Sequence, residues 1–275
     1  MKNNVDVFNN SLETLKNKKL FLFDMDGTIY NDDNLFDGAL DLFKQIKNNG
    51  GNYVFITNNS SKSVKDYIQK LSKMGIEVNY DNFFTSTQAS IYYLNNNYPN
   101  EKVYCMGTKS FVQELKDSNI NVTEEVSNDA KVVLIGYDTE LNYDKLRKTC
   151  KMLSLNVDYI ATNPDLVCPT EFGFVPDCGS IAQMIYKATK KNPIFIGKPE
   201  PTMIELAMEK FGVTKDETIV IGDRLYTDIL SGLNAGVLSV CVLTGEATID
   251  DINAGNIKPD LTINNINDIY LYLKK

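Results

Sequence analysis

The chain has 275 residues, with 28 Lys and Arg against 36 Asp and Glu, and its formal net charge of -8 offers no basic field for a nucleic acid polymer or an anionic membrane. It contains no histidine, which excludes Ser-His-Asp, Cys-His and phosphohistidine chemistry and leaves proton transfer to carboxylates or lysine. The length allows one large or two modest domains, and we take two as the working number.

Cysteine use and hydropathy limit the class of protein further. The five cysteines are scattered without a Cys-x-x-Cys pair, so we expect neither a disulfide framework nor a zinc site. The apolar runs are far shorter than the roughly 20 residues that span a bilayer, and the first ten residues lack a secretory apolar core. We therefore expect a cytoplasmic protein. Because the chain also lacks histidine, any metal that it binds is expected to be a hard ion held by oxygen.

Apolar runs alternate with helical patterns from the start of the chain. They are an apolar run at 19–23, a helical pattern through 39–46, an apolar run at 53–57 and a helical pattern through 64–71. Ser63 and Asp66 resemble a capping box at the start of the second helix, and Gly75 ends it. This alternation predicts an α/β fold with a mostly parallel sheet.

The rest of the chain repeats the alternation. We predict helices near 108–117 and 143–154, from Pro201 onward and at 228–235, and strands near 102–106, 131–137, 158–162, 194–197, 218–222, 238–243 and 260–263. The middle segment has its own strand-helix rhythm. We therefore assign 1–82 and 181–275 to a core domain and 83–180 to an inserted domain, and expect the run at 194–197 to join the core sheet.

Polar side chains follow four of the runs assigned to the core. They are Asp24 and Asp26, Thr57 and Asn58, Lys198, and Asp223. Because the carboxyl ends of parallel strands share one edge of a sheet, where ligands bind, these four stretches are candidates for a single site. Carboxylates beside a lysine and a hydroxyl suit an anion that is held together with a divalent metal.

Asp24 and Asp26 lie one residue apart at the end of a buried strand. Like charges this close raise each other's proton affinity unless a cation neutralises them. Mg²⁺ accepts one or two carboxylates and fills its other positions with water and substrate phosphate. One carboxylate could then attack phosphorus while its neighbour handles the proton. The alternative is a turn in which both aspartates support the backbone.

The remaining candidates each have a structural alternative. Asp228 is either a first-turn acid that satisfies the dipole of the predicted helix 228–235 or part of the metal shell. Lys198 either faces a phosphate or is merely solvated. Thr57 and Asn58 either donate to phosphoryl oxygens or cap the following helix.

These residues resemble the four motifs of the haloacid dehalogenase superfamily of aspartate-dependent phosphohydrolases. The matching stretches are "FDMDGT" at 23–28, Thr57 in "FITNN", Lys198 in "GKPEP" and "IGDRLYTDI" at 221–229. The long insert between the second and third motifs, with "GYD" at 136–138 and "ATNPD" at 161–165, is similar to the NagD-like, p-nitrophenyl phosphatase-like branch, subfamily IIA. The resemblance extends from about residue 18 to 270 and implies a Rossmann-like three-layer core with a C2-type α/β cap.

The resemblance also implies a role for each site residue. Asp24 attacks phosphorus to form an aspartyl-phosphate, and Asp26 protonates the leaving alkoxide and then activates water. The implied Mg²⁺ ligands are the Asp24 carboxylate, the Asp26 carbonyl and Asp223, with Asp228 in support. Thr57, Asn58 and the catalytic Lys198 are implied to hold the phosphoryl oxygens, and a homodimer through the cap is implied as the assembly.

The leading hypothesis is a Mg²⁺-dependent phosphatase of small phosphorylated metabolites, such as a sugar phosphate, nucleoside monophosphate, glycerol phosphate or pyridoxal phosphate. A phosphotransferase or phosphomutase that uses the same intermediate is an alternative. A dehalogenase is disfavoured because Asp26 would be superfluous without a leaving alkoxide. A non-catalytic phosphometabolite-binding protein is also an alternative, although its expected sign is the loss of Asp24, Asp26 or Asp223, and all three are present.

Four residues of the insert keep open roles. Asn163 and Asp165 either form a turn, which we favour, or reach the leaving group. Asp177 and Cys178 lie where relatives often carry a more glycine-rich turn, and we assign neither a catalytic role. Without a histidine to activate it, Cys178 is expected to be an ordinary buried thiol.

Overall fold

The structure is a computed structural model that describes residues 4–170 and 172–275. Its strands within those ranges are β1 (Leu20–Phe23), β2 (Tyr30–Asn31), β3 (Asn34–Leu35), β4 (Asn52–Thr57), β5 (Phe83–Thr85), β6 (Lys102–Met106), β7 (Val122–Thr123), β8 (Ala130–Ile135), β9 (Asp158–Ala161), β10 (Val167–Thr170), β11 (Gly173–Pro176), β12 (Ile194–Phe195), β13 (Thr218–Gly222), β14 (Leu238–Val242) and β15 (Leu261–Ile263). Its α-helices are α1 (Ala39–Asn48), α2 (Val64–Lys73), α3 (Ser86–Asn97), α4 (Lys109–Asp117), α5 (Tyr143–Leu153), α6 (Cys178–Thr189), α7 (Thr202–Phe211), α8 (Leu230–Ala235), α9 (Ile249–Ala254) and α10 (Asn267–Leu273). In the described part of the chain, no helix is both long and apolar enough to cross a membrane.

The chain divides into two compact units. The core unit contains the residues up to Thr57, Tyr67–Phe84 and Lys198–Lys275. The cap unit contains Asn58–Asp66 and Thr85–Gly197. Both units are α/β, and the predicted α/β fold with parallel sheets is confirmed.

The core unit is built on a six-stranded sheet in the order β15-β14-β13-β1-β4-β5. Strand β1 pairs in parallel with β13 and β4, and all four of its residues are buried. The apolar face of α1 packs on this sheet, where the Phe43 ring lies 5.5 Å from the rings of Phe23 and Phe55. The aromatic contacts bury β1 in the centre of the sheet and so fix the position of its carboxyl end.

The cap unit has its own five-stranded sheet in the order β12-β9-β8-β6-β7. Its pairings β12 with β9, β9 with β8, β8 with β6 and β6 with β7 are all parallel. Buried side chains of α5 and α6, including Met152, Ile181 and Ile185, share one hydrophobic cluster with Tyr104 and Val133 of the sheet. The hairpin of β10 and β11 is antiparallel.

The predicted domain boundary at 180 and 181 differs from the observed division. It lies inside α6, which packs in the cap cluster, and the cap unit continues to Gly197. The run at 194–197 was expected in the core sheet, but β12 pairs with β9 of the cap sheet, with Ile194 opposite Ile160. A two-residue apolar strand carries no pattern that identifies its partner. Residues 1–3 of the predicted core segment lie outside the described residues.

Candidate active site

The carboxyl ends of β1 and β13 bring two aspartates to one edge of the core sheet. The two strands are in parallel register, with Phe23 opposite Ile221, and the Asp24 N–H donates to the Ile221 carbonyl at 2.9 Å. Asp24 and Asp223 are therefore the first polar residues beyond two adjacent strands. One carboxylate oxygen from each of Asp24, Asp223 and Asp228 lies within 4.8 Å of the other two.

Lys198 joins two of these carboxylates. Its Nζ lies 2.7 Å from Asp24 Oδ1 and 2.6 Å from Asp228 Oδ1, and it also lies 3.4 Å from the Ile56 carbonyl oxygen. Burial opposes the charged form of Lys198, but the attraction of Asp228 and Asp24 outweighs it and raises the lysine pKa above its ordinary value. Lys198 is therefore a buried ammonium, and the solvated alternative is wrong.

The carboxylates remain short of positive charge in spite of Lys198. Burial raises the pKa of Asp24 to about 7, against the attraction of Lys198, and burial together with repulsion from Asp228 raises the pKa of Asp223. Three carboxylates and one ammonium carry a formal charge of about -2 when all are ionised. An all-oxygen donor set with this charge fits a hard divalent cation such as Mg²⁺.

Asp228 does not begin the helix that the sequence predicts. A π-helical turn covers Leu225–Ile229, and α8 begins only at Leu230. The Asp228 Oδ2 accepts a hydrogen bond from the Arg224 N–H at 3.1 Å, while its Oδ1 contacts Lys198. Asp228 therefore lies in the first turn of a helical segment that begins at Leu225, earlier than predicted, and its carboxylate also contacts Lys198 of the cluster.

The chain turns directly after Asp24, so the Asp24 and Asp26 side chains occupy different environments. Gly27 has φ +79°, its N–H donates to the Tyr30 carbonyl at 2.8 Å, and Thr28 and Ile29 donate to the Met25 carbonyl. Asp26 is exposed at this turn, whereas the side chain of Asp24 is 19% exposed and so the more buried of the two. An exposed carboxyl exchanges protons readily with solvent, so Asp26 is suited to proton transfer.

Thr57 and Asn58 belong to different units. Thr57 ends β4, which is the neighbour of β1 in the core sheet. Asn58 begins the next segment, which belongs to the cap unit, and its Nδ2 donates to Asp165 Oδ2 at 2.6 Å. Thr57 therefore ends at the same sheet edge as Asp24, and the Asn58 amide is engaged by a cap carboxylate 107 residues away.

A polar network within the cap unit joins Asn163, Asp165 and Asp177. Asn163, which is fully buried, donates from Nδ2 to Asp165 Oδ2 at 2.8 Å and to Asp177 Oδ1 at 3.0 Å. Asp177 accepts from the Cys178 N–H at the start of α6, and burial raises the pKa of Asp177 to about 6. Cys178 is buried, and burial raises the pKa of its thiol to about 12, as expected for an unreactive cysteine.

Sequence reasoning missed the segment after β14. Gly245 and the Glu246 N–H pack against the Asp223 carboxylate, with the N–H donating to Asp223 Oδ2 at 2.8 Å. The signal in the sequence is weak, because a Thr-Gly pair after a strand is also an ordinary loop.

Comparisons with known proteins identify the family of the chain. A haloacid dehalogenase-like hydrolase model matches residues 21–121, and a second model for HAD-hydrolase-like proteins matches 195–269. An acid sugar phosphatase of Staphylococcus epidermidis is 33% identical over 261 residues, which is 95% of this chain and 100% of that protein.

Solved structures give the same answer. The 4-nitrophenylphosphatase from Thermotoga maritima has a TM-score of 0.88 and 37% identity, covering 94% of this chain and 98% of its own. NagD from Escherichia coli K-12 has a TM-score of 0.82 and 29% identity, covering 90% of this chain and 97% of its own. The chain therefore belongs to the haloacid dehalogenase-like hydrolases, in the NagD-like branch, and is a phosphoric monoester hydrolase.

Proposed function

We propose that this phosphatase is Mg²⁺-dependent and hydrolyses small phosphomonoesters through an aspartyl-phosphate. We propose that sugar phosphates are its preferred substrates. The observation that carries the proposal is the convergence of Asp24, Asp223 and Asp228 within 4.8 Å, with Lys198 contacting the first and third. The preference for sugar phosphates is supported by the similarity to an acid sugar phosphatase.

In the first step the Asp24 carboxylate attacks phosphorus. A bond forms between a carboxylate oxygen and phosphorus, the bond from phosphorus to the ester oxygen breaks, and Asp26 gives its proton to the departing alkoxide. Lys198 supplies countercharge to the phosphoryl oxygens, and Thr57 donates a hydrogen bond to them. Phosphoryl transfer depends mainly on such alignment and charge compensation.

In the second step water hydrolyses the aspartyl-phosphate. Asp26, now ionised, accepts a proton from the water as its oxygen attacks phosphorus, and the bond to Asp24 breaks. Inorganic phosphate leaves and both carboxyls return to their starting states. When bound, Mg²⁺ supplies positive charge to the phosphoryl oxygens, and the residues that would hold it are Asp24, Asp26 through its carbonyl, and Asp223, with Asp228 in support.

The test is phosphate release by chelator-treated protein from a panel of sugar phosphates, nucleoside monophosphates, glycerol phosphate and p-nitrophenyl phosphate. We expect release only after Mg²⁺ is added, with the highest kcat/KM among the sugar phosphates. A folded protein with no Mg²⁺-dependent release would overturn the proposal. A sugar alcohol added as acceptor distinguishes hydrolysis from transfer, since a transferase would yield a new phosphoester instead of inorganic phosphate. The homodimer stays a prediction, which light scattering of the same sample checks.

A further inference from the structure

The segment that follows β14 hydrogen-bonds to both the side chain and the main chain of Asp223. The Glu246 N–H donates to Asp223 Oδ2 at 2.8 Å, and the Ala247 N–H donates to the Asp223 backbone carbonyl at 2.9 Å. Two consecutive backbone amides therefore fix the carboxylate relative to its own main chain.

Gly245 permits this approach because it has no Cβ. A Cβ added at Gly245 would lie 2.0 Å from Asp223 Oδ2, 2.4 Å from Cγ and 2.6 Å from Cβ. Such separations are far below the roughly 3.5 Å at which carbon atoms pack. Either the Asp223 carboxylate or the segment itself would have to move to admit any side chain.

The segment is also tied to the turn after Asp24. Thr244 Oγ1 donates to the Gly27 carbonyl at 2.6 Å, and a Cβ at Gly27 would lie 2.6 Å from Asp223 Oδ2 and 3.1 Å from Gly245 Cα. The two glycines thus lie close to each other beside the Asp223 carboxylate. From the first turn, Thr28 Oγ1 donates to the other carboxylate oxygen, Oδ1, at 3.3 Å.

We propose that Thr244, Gly245 and the Glu246 amide form a positioning clamp that holds the Asp223 carboxylate in the orientation in which it binds the divalent cation. The clamp rests on the proposed function, because Asp223 is there a ligand of Mg²⁺. Gly245 leaves space for the carboxylate, and the Glu246 N–H orients it through a hydrogen bond. The Thr244 hydroxyl attaches the segment to the turn that follows Asp24. Groups that orient a metal ligand typically change metal affinity about 10- to 100-fold when they are lost.

The test measures Mg²⁺ affinity by titration calorimetry on the full chain, separately from turnover. We expect Gly245→Ala to weaken Mg²⁺ binding at least about 10-fold. We expect Thr244→Val to weaken it less, and Thr244→Ser, which keeps the hydroxyl, to restore wild-type affinity. The matched control is Gly232→Ala in α8, where the added Cβ would have its nearest neighbour at 3.2 Å, on Ser239.

The outcomes separate the clamp from the function on which it rests. If wild-type protein binds Mg²⁺ and both Gly245→Ala and Thr244→Val bind it within twofold of wild type, the clamp is wrong and the proposed function stands. If wild-type protein binds no Mg²⁺, both fall together. Should Gly245→Ala fail to fold, as judged by circular dichroism, the comparison of Thr244→Val with Thr244→Ser decides alone, and equal affinities for those two variants overturn the clamp.

Discussion

Lys198 and Asp228 form a buried ion pair, with Nζ 2.6 Å from Oδ1 and side chains that are 4% and 1% exposed. The same Nζ lies 2.7 Å from Asp24 Oδ1. One ammonium is thus shared between two carboxylates that the chain supplies from positions 174 residues before it and 30 residues after it. Lys198 therefore offsets negative charge on both carboxylates in the metal-free protein.

Lys198→Met is expected to destabilise the metal-free protein. The substitution removes the ammonium and leaves the buried Asp228 carboxylate without its partner, which typically costs about 3 to 5 kcal/mol. Urea unfolding at pH 7 in the presence of a chelator measures the loss. Lys44→Met, at an exposed lysine of α1, is the control and should change the free energy of unfolding by less than about 0.5 kcal/mol.

The double variant Lys198→Met with Asp24→Asn should lose less stability than Lys198→Met alone, because one of the two uncompensated carboxylates is then neutral. Equal losses for the lysine variant and its exposed control would show that the pair contributes nothing.

Asp24→Asn is expected to abolish turnover and leave the fold intact. The amide cannot attack phosphorus, so we expect kcat to fall at least about 10³-fold. Because burial already disfavours the charged carboxylate at this position, the melting temperature should stay equal or rise. Phosphate release and thermal unfolding measure the two effects.

Asp41→Asn, at an exposed position of α1, is the matched control and should keep full activity. An Asp24→Asn enzyme with near wild-type kcat would refute the nucleophile assignment, whatever its stability.

Much of the site was predictable because its residues directly follow apolar runs, which indicate the ends of buried strands. The apolar run before Asp24 and the run before Asp223 identify two buried strands, and the parallel-sheet rule brings their ends to one edge. Local patterns also give α1, α2, α4 and α5 to within one or two residues. These are elements with strong helical periodicity, and α4 and α5 also begin at capping side chains, those of Thr108 and Asn142.

The errors occur where a contact is distant in the sequence or the geometry is irregular. The run at 194–197 is apolar whichever sheet it joins, and only its pairing with β9 places it in the cap. Asp228 has a helical pattern around it, but a π-helical turn delays the start of α8. The requirement for glycine at position 245 arises from close packing against Asp223, which leaves no periodic signal.

Magnesium is expected to stabilise the protein against unfolding. A ligand that binds only the folded state at about 100 times its dissociation constant adds about 2.7 kcal/mol. Asp223→Asn should remove most of this gain, whereas Asp41→Asn should retain it. Thermal unfolding with increasing Mg²⁺ measures the shift, and a gain of the same size in the Asp223 variant would show that the ion binds elsewhere.

Asp177 gives the cap unit a pH-dependent stability. Burial raises its pKa from the ordinary 3.8 to about 6, so the charged form is disfavoured in the folded protein. The folded state therefore favours the protonated Asp177 carboxyl. Its contribution to the free energy of unfolding is fully present below pH 3.8 and is lost as the pH rises through about 6. The difference between the two pKa values corresponds to about 3 kcal/mol.

Asp177→Asn removes this titration while keeping Oδ1, which accepts the hydrogen bonds from Asn163 and the Cys178 N–H. Relative to the variant, wild-type protein should therefore lose up to about 3 kcal/mol of unfolding free energy between pH 4 and pH 7. Urea unfolding of both proteins at intervals across this range measures the difference. Asp41→Asn should follow wild type throughout. The prediction is wrong if the difference in unfolding free energy between wild type and Asp177→Asn stays constant with pH. The Asp177 carboxyl would then have the same pKa in the folded and unfolded chains, and its burial beside Asn163 would not disfavour the charged form.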